Sequence, residues 1–332
     1  MRGRPRARDH GVRRPAASPA GAPPGSTSRR HHRCRGAPSG GGGHVTPVAT
    51  AAPRRRPVTT GHRLEDARRD LAAAAITLPP IGLAELDAAA ALQRRIDVKY
   101  LVPARTFLGV LLGLEGDPRV LTIDGQRTFA YRSVYLDTPD LATYRAHVQG
   151  RRLRCKVRVR TYLDTGGRFL ELKLEGRRGG TVKHRMPYDG PEDRLSAEGR
   201  AFLDEHLLAA HGRPAPEGLR ATVRTDYHRT TFALARVGER VTVDTALEGE
   251  HAGRRLRLVR RDVLLESKSA TGRGAVDRAL RREGIRPVRI SKHAATVAGT
   301  RAGEQGNAWR RALRHFEVGD VPAAPAAAVR AG

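Results

Sequence analysis

The segment LRCKVRVRTY, residues 153–162, contains the densest pattern of side chains that could bind a charged substrate. Its cations alternate with apolar residues, and successive side chains of a β-strand point to opposite faces, so a strand here would carry four cations on one face. A solvated amphipathic strand is the simpler interpretation, but solvated faces usually mix both signs because aligned like charges repel. The pattern therefore favours a surface that binds a polyanion. The four cations are Arg154, Lys156, Arg158 and Arg160.

Four further segments repeat this alternation, and three of them add carboxylates. Carboxylates among cations would repel a nucleic-acid backbone, but they can hold Mg²⁺ or Mn²⁺, which bridge to phosphate oxygens. We therefore expect a sheet that closes into a barrel with its charges inside, rather than one that lies open against nucleic acid. The segments are FLELKLE (169–175), TVKHRM (181–186), VRTDYHR (223–229) and LLESKS (264–269).

Composition agrees with a polyanionic ligand. The formal net charge is +28, and aromatic residues make up only 4% of the chain, so stacking platforms for single-stranded nucleic acid are hard to build. The sequence has no Gly-rich phosphate loop of the Walker type and no Ser-His-Asp constellation. Of 62 basic residues only six are lysines, which makes them candidates for positions where a compact ammonium group is needed. They are Lys99, Lys156, Lys173, Lys183, Lys268 and Lys292.

Short helices and strands alternate along most of the chain, which is typical of an α+β fold with one dominant sheet or barrel. Ser196 is a candidate helix N-cap, Pro139 suits the first turn of a short helix, and Gly284 is a candidate helix stop. Strands are predicted at 96–102, 132–138, 152–163, 168–175, 181–188, 220–236, 239–246, 256–259 and 262–268, and helices at 83–95, 104–114, 197–210 and 274–283.

The two ends of the chain differ in composition from the middle. Residues 1–63 are rich in Arg, Pro and Gly and predict a disordered tail, which either binds nucleic acid or another anionic surface or is an extension from a start codon placed too far upstream. We expect a linker at 64–82, a folded domain at 83–298, and a C-terminal tail at 299–332 with a short helix near Trp309.

The cysteines and the lengths of the apolar runs indicate the cellular compartment in which the protein is expected. Cys34 and Cys155 lie far apart and offer neither a disulfide framework nor a zinc spacing, which fits a reducing cytoplasm. No apolar run approaches the roughly 18 residues of a transmembrane helix. We therefore expect a cytoplasmic protein without a transmembrane segment.

The chain resembles the VTC domain of polyphosphate polymerases, within the CYTH or triphosphate tunnel metalloenzyme group, over about residues 83–295. The resemblance implies an antiparallel β-barrel tunnel with inward cations and flanking helices. It also implies metal-dependent transfer of a phosphoryl group from ATP or another triphosphate to a polyphosphate chain. The similar segments are RRIDVKYLV, SVYLDTPDLATYRAHVQGRRLRCKVRVRTY, FLELKLE, TVKHR, VTVD, LLESKS and ISKH.

The resemblance also implies roles for individual residues. Asp97 departs from the family pattern, which generally has Glu there, and His293 stands where Tyr is usual. The implied catalytic residues, which hold phosphates, are Lys99, Arg158, Arg160, Lys173, Lys183 and Lys292. The implied substrate-binding residues are Arg154, Lys156, Arg224, Arg229, Lys268 and Ser291. The implied ligands of Mn²⁺ or Mg²⁺ are Glu266, Asp97 and Glu171.

Three other functions remain open at this point. A triphosphatase would use the same tunnel with water as the acceptor. A polyphosphate-binding module would use it without catalysis. A nucleic-acid binder would depend mainly on the basic N-terminal tail.

Overall fold

The computed structural model describes residues 60–89, 95–175, 181–259, 261–301 and 306–321, with side chains in the first helix described from residue 67. All but the last four residues of the predicted N-terminal tail therefore lie outside the described residues. None of the helices in the described ranges is long and apolar enough to cross a bilayer.

The fold combines one large sheet with flanking helices, as predicted. The strands are β1 (Pro80–Ile81), β2 (Ile96–Pro103), β3 (Pro118–Leu121), β4 (Thr128–Asp137), β5 (Cys155–Tyr162), β6 (Arg168–Glu175), β7 (Thr181–Pro187), β8 (Arg220–Leu234), β9 (Glu239–His251), β10 (Arg254–Leu258), β11 (Asp262–Ser269) and β12 (Phe316–Asp320). The helices are α1 (Thr60–Thr77), α2 (Leu83–Ala89), α3 (Ala104–Leu112), α4 (Ala142–Val148), α5 (Ala197–His211), α6 (Ala275–Arg282), α7 (Lys292–Thr300) and α8 (Arg310–Leu313).

The main path of the sheet is antiparallel and runs β2-β11-β9-β8-β4-β5-β6-β7. In a flat sheet β2 and β6 would be six strand spacings apart, roughly 29 Å. Instead, the side chains of Lys99 on β2 and Lys173 on β6 lie close together. The pKa of Lys173 is lowered first by burial and second by the positive charge of Lys99. The sheet therefore curls into the predicted tunnel. Within the described residues β2 and β7 are not hydrogen-bonded to each other, so the wall has a seam there.

The two faces of the wall have opposite character. Val157 and Val159 on β5 are each only 1% exposed and pack with Leu203 and Leu207 of α5 on the outer side of the wall. Because side chains alternate along a strand, the cations of β5 then point inward. Burial of the apolar outer face under helices therefore determines which side chains line the tunnel.

The predicted linker at 64–82 is wrong, because most of it is helix α1. Ala67, Leu71 and Ala75 lie four residues apart on one face of α1 and pack into the same core as Phe107 of α3. The segment is rich in Ala, which has the highest helix propensity, and this spacing is the helical signal that the linker assignment overlooked.

The predicted C-terminal tail at 299–332 is also structured in part. A 3₁₀ turn at Asn307–Trp309 followed by α8 agrees with the helix expected near Trp309, whose side chain is buried. Strand β12 then pairs with β10 at one edge of the sheet. Residues 302–305 and 322–332 lie outside the described residues.

The first prediction concerns helix α1. Replacing the buried Leu71 by Ala removes packing from the core, and we expect unfolding free energy to fall by about 2–5 kcal/mol in denaturant titrations. Ile76, on the same helix but 73% exposed, is the matched control, and Ile76→Ala should change stability by less than about 0.5 kcal/mol. Equal effects of the two substitutions would show that α1 does not belong to the core.

Candidate active site

The first charged group of the tunnel joins β5 to β6. Arg158 lies opposite Glu171 in the strand register, and its Nε donates to Glu171 Oε2 at 2.6 Å. Arg160 Nη1 lies 3.5 Å from the other carboxylate oxygen, and Arg158 also donates to the Tyr135 hydroxyl at 3.3 Å. Burial alone would raise the pKa of Glu171, but the charges of Arg158 and Arg160 outweigh it and hold the pKa below its usual value. Glu171 is therefore ionised and positions both guanidinium groups.

A second group joins β2 to β11. Glu266 lies opposite Lys99, and Lys268 lies opposite Asp97, so all four side chains share the inner face. Lys99 Nζ is 3.3 Å from Glu266 Oε2, and Lys268 contacts Oε1 of the same carboxylate. Burial opposes ionisation, yet the charges of Lys268 and Lys99 hold the pKa of Glu266 well below its usual value. Glu266 thus presents an ionised oxygen pair between two ammonium groups.

A third group joins β8, β9 and helix α7 through Asp244. Arg229 forms two hydrogen bonds with the Asp244 carboxylate, of 2.7 and 2.9 Å, and Lys292 Nζ contacts Oδ2. The Lys292 ammonium also lies 4.3 Å from the centre of the Tyr227 ring. Although burial raises it, the pKa of Asp244 is lowered to about 2 by Arg229 and then Lys292. This buried acid therefore holds two of the predicted phosphate-binding cations in place.

Asp244 was given no role in the sequence analysis, although its segment, VTVD, was among those that resemble the family. A signal was available, because Asp244 follows Val241 and Val243 at a polar position of an alternating strand. Its two partners lie 15 and 48 residues away in the chain, and alternation alone could not identify them.

The fourth group surrounds Lys156. Its Nζ lies 3.0 Å from His147 Nε2 on α4 and donates to Ser291 Oγ at 3.0 Å. Ser291 was predicted to bind substrate, but it is also the N-cap of α7 and accepts a hydrogen bond from the Ala294 amide at 3.5 Å. Ser291 therefore links the start of α7 to the tunnel wall.

Three more predicted cations reach the lumen or its rim. Lys173 and Lys183 lie opposite each other on β6 and β7, and both side chains are accessible to solvent while surrounded by the wall. Burial lowers the pKa of Lys183, whereas the negative charge of Asp97 across the seam raises it. The effect of burial is larger, so the pKa of Lys183 lies below its usual value. Arg154, just before β5, pairs with Glu175 at 2.9 Å. Within the described residues Lys173 and Lys183 form no ion pair, so both are open to a ligand.

Arg224 is a correction to the predicted site. It lies opposite Val134 on the outer face and pairs there with Asp226 at 3.0 Å and Glu250 at 2.7 Å. Arg224 and Arg229 are an odd number of residues apart on one strand, so only one of them can point into the tunnel. Arg224 therefore does not contact a ligand in the lumen.

His293, the second departure from the pattern that the resemblance implies, packs against aromatic side chains. Its ring is 2% exposed, stacks on Tyr135 at 4.8 Å and meets Tyr144 edge-on. Burial and then the charge of Lys156 hold the pKa of His293 well below its usual value, so the ring is neutral. It acts as part of the apolar packing behind the tunnel.

The chemistry of Glu266 fits a divalent cation better than that of the other two predicted ligands. Within the described ranges no three His, Cys, Asp or Glu side chains converge into a ready-made metal cage. Mg²⁺ is often bound by one or two carboxylates together with substrate phosphates, and the ionised Glu266 suits that mode. Asp97 lies on the same inner face as Glu266 but opposite Lys268, and Glu171 is already paired with two guanidinium groups.

Comparison with known proteins places this geometry in a family. The VTC domain family matches residues 94–309, and no curated protein matches the chain. Several solved structures are similar at low identity. A Vibrio parahaemolyticus protein described as an adenylate cyclase candidate is 13% identical, with 60% of this chain and 95% of that chain covered and a TM-score of 0.35.

The second is a Pyrococcus horikoshii protein, 12% identical, with 61% of this chain and 98% of that chain covered and a TM-score of 0.37. The third is a Hippeastrum protein described as an adenylyl cyclase candidate with a dominant triphosphatase activity. It is 14% identical, with 63% of this chain and 98% of that chain covered and a TM-score of 0.36. With the family match extending over residues 94–309, the chain belongs to the VTC domain family.

Proposed function

We propose that this chain is a metal-dependent polyphosphate polymerase, which transfers the terminal phosphate of a nucleoside triphosphate to a phosphate chain. One observation carries the proposal: cations from four strands converge on one lumen beside an ionised carboxylate. The family membership supports the same substrate class. The converging cations are Lys99, Arg158, Arg160, Lys173 and Lys183.

Phosphoryl transfer suits such a site because it demands positioning and charge neutralisation more than covalent chemistry from the protein. Arg158 and Arg160 present planar guanidinium forks, which match phosphate oxygens in pairs, and Glu171 holds both forks in place before substrate arrives. Lys173 and Lys183 add point charges on flexible side chains from the next two strands of the wall, β6 and β7. Together these groups would align a donor triphosphate with an acceptor chain.

Glu266 is the residue we propose to hold the Mn²⁺ or Mg²⁺, with Asp97 nearby on the same face. When bound, the metal would neutralise charge on the phosphate oxygens. Lys99 and Lys268 already flank the carboxylate, so a phosphate that reaches the metal would also meet two ammonium groups.

The reaction is tested by incubating the purified full chain with ATP and either Mn²⁺ or Mg²⁺. Polymer that lengthens with time, detected by gel electrophoresis and ³¹P NMR, is the expected result. Release of orthophosphate alone would instead identify a triphosphatase. Binding of polyphosphate without ATP consumption would identify a non-catalytic module.

Arg158 gives a quantitative prediction for substrate binding. We expect Arg158→Ala to weaken tripolyphosphate binding by about 1.5–3 kcal/mol, because it removes a charge-assisted contact inside the tunnel. Arg224→Ala is the matched control, since that arginine lies on the outer face and should leave the affinity unchanged. Calorimetric titration measures both variants. Equal weakening by the two substitutions would show that binding follows net charge and not the tunnel.

A further inference from the structure

Lys156 differs from other tunnel lysines in the chemistry of its partners. It lies 3.0 Å from the imidazole of His147 and 3.0 Å from the hydroxyl of Ser291, both uncharged groups. Within the described residues no carboxylate lies within 4.0 Å of its Nζ. Three of the other tunnel lysines each pair with a carboxylate: Lys99, Lys268 and Lys292. Lys173 and Lys183 form no ion pair within the described residues, but their side chains are more exposed than that of Lys156.

The wider surroundings of Lys156 are also positive or neutral. Burial and then the positive charges of Lys173 and Lys99 hold the pKa of Lys156 well below its usual value. Burial, followed by the charge of Lys156, lowers the pKa of His147 to about 3, so this imidazole is neutral. The groups that face the site are Arg154 just before β5, Arg158 on β5, Lys173 on β6, Lys99 on β2, His147 on α4, Arg289 just before α7, and Ser291 and His293 at the start of α7.

A phosphate chain in the lumen would add negative charge to these positive and neutral surroundings of Lys156. Nearby negative charge favours the protonated form of an amine, so a bound chain would stabilise an ammonium group at Lys156. Lys156 shares the inner face of β5 with Arg158 and lies opposite Lys173, so its amine faces the same space as the phosphate-binding cations.

We propose that Lys156 is the proton acceptor of the tunnel: its amine, held by an imidazole and a hydroxyl and without a carboxylate partner among the described residues, takes the proton of the chain's terminal phosphate. This inference rests on the proposed function, because it requires a phosphate chain in the lumen. Lys156, His147 and Ser291 together form what we call the Lys156 subsite.

The proton transfer is balanced and needs no further reactant. The O–H bond of the terminal phosphate breaks, an N–H bond forms at Lys156 Nζ, and the two groups become a phosphate dianion and an ammonium ion. Only a terminal phosphate has a second acidic proton, with a pKa of about 6 in phosphate esters, so the subsite distinguishes the chain end from internal phosphates. The deprotonated terminal oxygen is also the nucleophile that chain growth requires.

Calorimetry of tripolyphosphate binding tests the proposal without turnover. Titrations of the metal-free full chain in buffers of different ionisation enthalpy give the number of protons exchanged on binding. The ligand is the same in every titration, so the difference in proton number between the parent and a Lys156 variant reports Lys156 and not the end groups of the ligand. We expect the parent to take up about one proton more than Lys156→Arg, whose guanidinium stays charged in both states.

The pH profile gives a second readout with a defined sign. Proton uptake on binding means that the parent's affinity falls as the pH rises, by up to about tenfold per unit, while Lys156→Arg shows a flatter profile. Lys156→Gln, which cannot titrate, should also lose the proton uptake. Arg224→Gln is the control, because it removes a cation from the outer face of the sheet and should keep the parent's uptake.

The outcomes separate this inference from the proposed function. Equal proton uptake and equal pH profiles in the parent, Lys156→Arg and Lys156→Gln, with all three binding tripolyphosphate, would overturn the role of Lys156 alone. Failure of the folded parent to bind tripolyphosphate at any pH would overturn the proposed function, and the proton acceptor with it.

Discussion

Glu266→Gln should lower turnover by roughly 100-fold or more while the domain stays folded. The substitution keeps the shape of the side chain but removes the ionised oxygen pair that we propose as the metal ligand, and loss of one preorganised electrostatic group commonly costs about 10²–10³ in rate. Lys99 and Lys268 remain, so the cationic lining persists without its acid. Steady-state assays across a range of Mn²⁺ concentrations measure the effect.

Binding measurements distinguish a metal ligand from a structural ion pair at Glu266. Removing a negative charge from a cationic tunnel should leave metal-free binding of tripolyphosphate as tight as in the parent, or tighter. The strengthening of binding by Mn²⁺ should disappear. Glu250→Gln, on the outer face, is the matched control and should keep both properties. Retained turnover at saturating Mn²⁺ with unchanged metal dependence would contradict the assignment of Glu266.

Asp244→Asn should destabilise the empty protein by about 3–5 kcal/mol, because it leaves the charges of Arg229 and Lys292 buried without their acid. Tripolyphosphate should recover part of this stability, since a polyanion that binds only the folded state shifts the unfolding equilibrium. Denaturant titrations with and without tripolyphosphate measure both effects. Asp226→Asn, on the outer face with partly exposed partners, is the matched control and should cost less than about 1 kcal/mol.

The pH dependence of stability gives a further check on Asp244. Its pKa is lowered in the folded state from 3.8 to about 2, so its contribution is fully present above about pH 4 and is lost as the pH falls toward 2. Asp244→Asn should lack this acid-dependent contribution. If Asp244→Asn and Asp226→Asn proved equally stable at neutral pH, the buried acid would not hold the two cations as we describe.

Local pattern predicted much of the wall of the tunnel. Strand β6 was expected at 168–175 and spans Arg168–Glu175, and the helix expected at 197–210 spans Ala197–His211. The Ser196 hydroxyl accepts a hydrogen bond from the Gly199 amide, as a helix N-cap should. These features depend on neighbours within a few residues, which the sequence shows directly.

Features that depend on distant partners could not be read in the same way. Alternation separates the two faces of β8 but does not say which face lies inside the tunnel. Arg224 and Arg229 were therefore both predicted to bind the substrate. Burial of Val134 and its neighbours under α5 decides the question. The contacts of Lys156 with His147 and Ser291 likewise arise only when α4 and α7 pack against the wall.

A crystal structure with tripolyphosphate and Mn²⁺ tests the central claim most directly, because the anomalous signal of manganese locates the metal independently of the phosphates. Our account predicts a manganese peak at the Glu266 carboxylate and phosphates in contact with Arg158 and Arg160 inside the curled sheet. Phosphates bound only on the outer face, around Arg224, with no manganese at Glu266, would contradict it.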